Sequence, residues 1–298
     1  MILLHRSLAA LLAASLLLIG TGCATRAATS STAPRPKEVL SIPADLVDSV
    51  ERARLLGLAL YTQDAASAIA TDVLIQNIGS LEGKGLGGWI TVRDADVGGR
   101  QTGWWLVKFF SDEPQPAILY EVRVPTRPEL NAIFTRLDPP LVAKGSSRVL
   151  IAARAAAIAA APEPTRAMNT VLLPGEPFGY DGTLVYLLAA TTDPEVMVLG
   201  KHYRILVSGT QPNAQVSELS RSQLEVPLRR GGAGSARIVA PWVKHTVSEA
   251  PLESYVFASL FHRIPIFVET SRGVWWVDGS DISLIADRAP ARASDLLE

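Results

Sequence analysis

The sequence predicts an α+β fold: two helices packed on largely antiparallel β-sheet, with the strands concentrated in the C-terminal half. Three observations carry that prediction. Residues 44–79 place apolar or small side chains at three- and four-residue spacings. Residues 89–124 alternate apolar and polar positions between turn-rich joins. After an alanine-rich run that ends at Pro162, the chain becomes a succession of short apolar runs separated by turns.

The first helix repeats Leu46, Val50, Ala53, Leu56, Leu60, Ala66, Ile69 and Val73 along one side. Asp45 or Asp48 suits its start and Gly79 its end, and Gly57 divides it into two pieces. Asp64 and Asp72 lie on the polar side and are expected to be solvated. Three strands follow, GWITVRD, WWLVKFF and AILYEVRV. In the last, Ile118, Tyr120, Val122 and Val124 alternate with Glu121 and Arg123, the pattern of a strand wet on one face. Helix and three-stranded meander together make an expected subdomain over residues 38–140.

A second subdomain is expected over 141–286. Its helix, SSRVLIAARAAAIAAAP, starts at Ser146 or Ser147 and stops before Pro162. Its alanines suit close packing, and with only Arg148 and Arg154 as cations and no aromatic anchors it does not read as a membrane-surface helix. The runs TVLLP, LVYLLAA, VMVLG, HYRILVS, ARIVAPWV, SYVFASLF, IPIFVET, VWWVDG and DISLI then read as strands of one larger antiparallel sheet. Between Ser208 and Ala236 the polar composition predicts a long connection, a passive excursion or a flap. Residues 287–298 read as a frayed tail.

The N-terminus gives the clearest signal. Arg6 precedes an apolar stretch of about 15 residues, short of the roughly 20 that a bilayer-spanning helix needs. This is the layout of a secretory signal over residues 1–22. Ile19-Gly20-Thr21-Gly22-Cys23 resembles the lipobox of bacterial lipoproteins. That resemblance implies a diacylglycerol thioether on Cys23, cleavage after Gly22 and acylation of the new amino group. With Ala24 next, it also implies sorting to the outer membrane. Each buried methylene adds about 0.8 kcal/mol, so two or three acyl chains hold durably. Residues 23–37, rich in Ala, Ser, Thr and Pro, read as a flexible tether.

Charge is nearly balanced, with 28 Lys plus Arg against 29 Asp plus Glu, so no cationic footprint for nucleic acid is present. Cys23 is the only cysteine, which excludes an internal disulfide, a Cys-rich zinc site and an iron–sulfur cluster. GKGLGG formally holds G-x-G-x-x-G through Gly83, Gly85 and Gly88. A dinucleotide site needs a strand before and a helix after, and here the order is reversed. No cofactor is therefore expected, and no metal, since no histidines pair at ligand spacing.

Two candidate sets remain. His202, His245 and Glu253 are the residues of a weak acid–base reading, with Glu253 at the rim of the strand Tyr255, Phe257, Ser259. His262 falls at a hairpin end. Trp104-Trp105 and Trp275-Trp276 each send one ring to either side of a sheet, which makes Trp104 and Trp275 candidates for a binding surface. The expected function is a lipid-anchored envelope protein that binds or scaffolds, its partner an envelope protein or polymer. The rival is a lipid-anchored envelope hydrolase using Glu253 with His245 or His202.

Overall fold

The computed structural model describes residues 35–96, 99–164, 166–190, 193, 195–209, 213–229 and 238–297. Cys23, the signal segment and most of the expected tether lie outside the described residues. The fold is α+β with mainly antiparallel sheets, but among the described residues it has three α-helices where the sequence predicted two. Two compact units share the chain. The first holds residues 62–190 and 203–218; the described part of the second holds 35–61, 193–202 and 219–297. Helix α1 (Val47–Ile78) contributes residues up to Tyr61 to the second unit and from Thr62 onward to the first.

In the first unit, β1 (Leu86–Ala95), β2 (Gln101–Ser111), β3 (Ala117–Pro125) and β4 (Ile133–Val142) form an antiparallel sheet in chain order. The expected meander is there, extended by a fourth strand. β4 escaped the sequence pattern because it is an exposed edge strand carrying Pro139 and Pro140. Proline lacks the N–H a central strand must donate, and an edge position tolerates that. Alternation gives the sheet two apolar faces. Trp89, Trp105, Val107, Phe109, Val122 and Val124 pack with Ala66, Ala70 and Leu74 of α1. Ile90, Phe110 and Ile118 pack on the other side with Ile151 of α2 (Gly145–Ala160). Ile69, expected to point inward, is 43% exposed.

The chain passes from β4 to α2 within the first unit. Beyond α2, β5 (Met168–Pro174), β6 (Thr183–Ala189), β8 (Tyr203–Ser208) and β9 (Asn213–Glu218) form a second antiparallel sheet in that order, against which α2 also packs. β9 and β10 (Glu225–Pro227) account for nine residues of the span expected as a passive excursion or a flap. Their short, polar, half-exposed sequences gave no apolar alternation to read.

The second unit contains β7 (Val196–Val198) paired with β10, and a sheet of β11 (Trp242–Lys244), β12 (Ile266–Thr270), β13 (Gly273–Asp278) and β14 (Asp281–Ala286). The one larger sheet expected for the C-terminal half is thus three separate sheets. β11 and β12 run parallel, joined through α3 (Glu253–His262). A parallel pair needs a crossover, which is usually helical. SYVFASLF, expected as a strand, supplies it. Its alternating Tyr255, Phe257 and Ser259 fit period two, but the buried set Glu253, Ser254, Tyr255, Val256, Ala258 and Ser259 leaves Phe257 and Phe261 on the open side of a helix. Short apolar runs are ambiguous in this way. The tail is not frayed: Leu297 bridges Pro36, and Lys37 N–H donates to Leu296 O at 2.9 Å.

Candidate functional site

In α2 the buried positions are Ser147, Ile151, Ala153, Arg154 and Ala157. Steps of four, three and three from Ser147 put Ile151, Arg154 and Ala157 on one helical face. An arginine therefore occupies a core position. Only 8% of Arg154 is exposed, and an apolar helix face gives a guanidinium little to bond with.

β1 is shaped to receive it. Its pairing with β2 slips between Leu86 and Gly88, so Gly87 forms a bulge. The Gly87 carbonyl accepts from Arg154 Nη1 at 3.4 Å, a long bond. At Gly88, where φ is +145°, a Cβ would stand 2.9 Å from the guanidinium carbon, so another residue would be strained and would push the Arg154 head aside. Gly88 of GLGG thus makes space for a cation, where the sequence suggested only a loose entry to the strand. The guanidinium carbon also lies 6.0 Å from the ring centre of Trp89 and 5.8 Å from that of Phe110.

These contacts do not balance the burial. Arg154 Nε has no hydrogen-bond partner, and no carboxylate pairs with the group among the described residues. Two rings at the outer limit of contact contribute from about 0.5 to about 2 kcal/mol each. Stripping a charged group of water costs several kcal/mol, and an unmade buried bond about 1–3 more. Burial pushes the guanidinium pKa down to about 10, so it remains a cation at neutral pH.

The same arginine lines an open pocket of about 410 Å³, together with Gly87, Phe110, Ser111, Ile151 and Ala155. Ligand pockets commonly fall between roughly 300 and 1,000 Å³. Asp112, Glu113 and Arg148, all exposed, also line it. The turn that carries the two acids is pinned at both ends. Asp112 N–H donates to Gly85 O at 2.8 Å, and Ala117 N–H donates to Ser111 Oγ at 3.0 Å. Arg154 was visible in the sequence only as one of two cations in the alanine helix. The signal that marks it is its step of three from Ile151, onto the apolar face.

The acid–base candidates lie in the second unit, inside its packing. His202 is buried, with Nε2 3.2 Å from Val198 O. Glu253 is 1% exposed in the first turn of α3, where the sequence placed it at a sheet rim. His245 has both nitrogens engaged: Nε2 lies 2.7 Å from Ser248 Oγ and Nδ1 lies 3.0 Å from Tyr255 Oη. Ser248 donates its own proton to Ala250 O at 2.6 Å. His245 must then donate through Nε2 and accept the tyrosine proton at Nδ1. That polarity is the reverse of the one that activates a serine nucleophile. Burial lowers the His245 pKa to about 4 and raises that of Tyr255, so both are neutral. His262 closes α3 against the Phe261 ring at 5.0 Å.

Trp275, a binding candidate, is fully buried and donates from Nε1 to Thr270 Oγ1 at 3.0 Å. Trp276 covers the opposite face, 4.8 Å from Phe267. That pair serves the core on both sides of its sheet. Trp104 is half-buried on β2, while Trp105 lies in the core beneath the Arg93 guanidinium at 3.7 Å. No group of three or more His, Asp or Glu residues that could hold a metal ion occurs among the described residues. No described helix is long and apolar enough to cross a membrane. The chain matches no protein-family model, no curated protein and no solved structure.

Proposed function

We propose that this is a lipid-anchored protein of the cell envelope that binds a ligand through the pocket over Arg154 and performs no chemistry on it. The observation that carries the binding reading is a buried, uncompensated guanidinium opening on a 410 Å³ pocket. Folds keep such a cost where function uses it. An anionic group seated on the Arg154 guanidinium would balance its buried charge, and charge-assisted bonds of this kind are the strong ones. The anchoring reading rests on the apolar leader and the lipobox-like approach to Cys23. An acyl chain there would hold the folded body at the outer membrane.

Replacement of Arg154 by methionine tests the first part. Removing an unbalanced buried charge in favour of an apolar side chain should raise stability by about 1–3 kcal/mol in the absence of ligand. Urea unfolding followed by circular dichroism reads this directly. A loss of 2 kcal/mol or more, on the order of a broken structural contact, would make Arg154 a structural residue and remove the argument for a site. For the anchor, growth in the native host with radiolabelled palmitate should label the wild-type chain and leave Cys23→Ser unlabelled.

A further inference from the structure

The arrangement of charge around the pocket narrows the ligand, on the premise that Arg154 is its anion anchor. Four ionisable side chains line the pocket: Arg154, Arg148, Asp112 and Glu113. Their formal charges cancel. They differ in depth, because Arg154 is buried while Asp112, Glu113 and Arg148 are exposed. The deep end therefore holds a lone cation, while the outer end holds Arg148 and the two acids, the acids on a turn whose backbone is already fixed.

A dianionic phosphate fits this poorly. It would meet two carboxylates against Arg148 alone at the outer end, a net negative rim, before reaching a single buried guanidinium. A carboxylate carries one charge and matches the planar fork of an arginine through two parallel bonds. A positive group on the same molecule would then face Asp112 and Glu113. Phe110, Ile151, Pro114, Pro116, Ala152 and Ala155 supply apolar wall for the body between them.

We infer that the pocket takes a zwitterion: a carboxylate on Arg154 and an ammonium toward Asp112 and Glu113, the charge pair of a free amino acid or of a short peptide. The two acids act on the ligand's positive end, so their contribution is separable from that of the anchor. Because they are exposed, their expected share is about fivefold in affinity.

The experiment titrates the full chain, purified in detergent, with four probes: Ala-Leu, N-acetyl-Ala-Leu, Ala-Leu amide and free leucine. Isothermal calorimetry or ligand-observed NMR gives the affinities. Ala-Leu should bind about fivefold more tightly than its acetylated form, and the amide should not bind. Leucine binding better than Ala-Leu assigns the zwitterion to a free amino acid; the opposite order assigns it to a peptide. Asp112→Asn with Glu113→Gln should bring Ala-Leu and N-acetyl-Ala-Leu to the same affinity. If the acetylated and free peptides bind equally to the unaltered chain, the anion anchor stands and the zwitterion inference falls. If none of the four binds, the anchor falls and the inference with it.

Discussion

Gly57→Ala should cost about 3 kcal/mol or more, although alanine in an ordinary helix interior adds about 1 kcal/mol over glycine. The reversal comes from close approach. A Cβ on Gly57 would stand 2.3 Å from Val256 Cβ and 2.8 Å from Glu253 O, both on α3. The second contact is with backbone, so no rotamer change relieves it. The methyl group has to push the helices apart, and they pack in a core where Leu56 and Val256 are fully buried. Overpacking usually costs about 1–3 kcal/mol, and a clash involving backbone belongs at the upper end or beyond. Val256→Ala should rescue only part of the loss, since the Cβ of residue 256 remains. A double-mutant cycle read by urea unfolding should give a coupling of at least about 1 kcal/mol. A Gly57→Ala protein more stable than wild type would mean that the helices do not meet at this point.

The second large effect is one of pH. Asp64 of α1 is buried, and its closest polar neighbour, Asn169 Nδ2, donates to Oδ1 across 3.5 Å. Burial raises its pKa from 3.8 to about 6, with the Asn169 bond opposing weakly. Between those values the folded chain holds a proton that the unfolded chain has released. Stability from this group is therefore complete below pH 3.8 and is lost as pH rises through about 6, a change of about 3 kcal/mol. His245 runs the other way. Its folded pKa, about 4, lies below the ordinary 6.5, so its contribution is present above pH 6.5 and is lost as pH falls to 4. That change is also about 3 kcal/mol. The two slopes oppose each other, and the wild-type urea midpoint should be nearly flat between pH 4 and 6.5. Asp64→Asn removes one slope. The variant should match wild type near pH 4 and exceed it by about 3 kcal/mol at pH 7.5. Parallel pH profiles for the two proteins would show that Asp64 does not titrate in the folded state in this range.

Asp64 also shows where sequence reading stops. It was expected on a solvated face, yet Gln63, Asp64, Ser67 and Thr71 are all buried. Gln63 Nε2 donates to Thr91 O at 2.6 Å, and Ser67 Oγ lies 2.8 Å from Thr91 Oγ1. Polar side chains that find partners across a helix–sheet interface look in sequence like solvent-facing ones. The meander was legible because its strands alternate, each with one face on α1 and the other on α2 or water. The helix α3 was misread because its short apolar run fits a period of two as readily as a helical one. β4, β9 and β10 were hidden because edge and short strands need no apolar face. Trp275 and Trp276 were correctly placed on opposite sides of a sheet, but both sides proved to be core. Arg154 was hidden by charge, since a lone arginine among alanines reads as a solvated point on a packed helix. What makes it a candidate, beyond its step from Ile151, is a register relation to Gly87 and Gly88 that only the folded chain displays.

An anion seated on the Arg154 guanidinium would change the field at its buried Nε–H, a bond that NMR observes directly. In protein labelled with ¹⁵N-arginine, the Arg154 Nε–Hε signal is identified by its absence from Arg154→Met. Titration with N-acetyl-Ala-Leu, a plain carboxylate, should shift that signal and saturate, as the carboxylate pairs with the guanidinium from the pocket side. The methyl ester of the same peptide should leave it in place. A signal that carboxylate does not move, or that ester moves equally, would contradict the account.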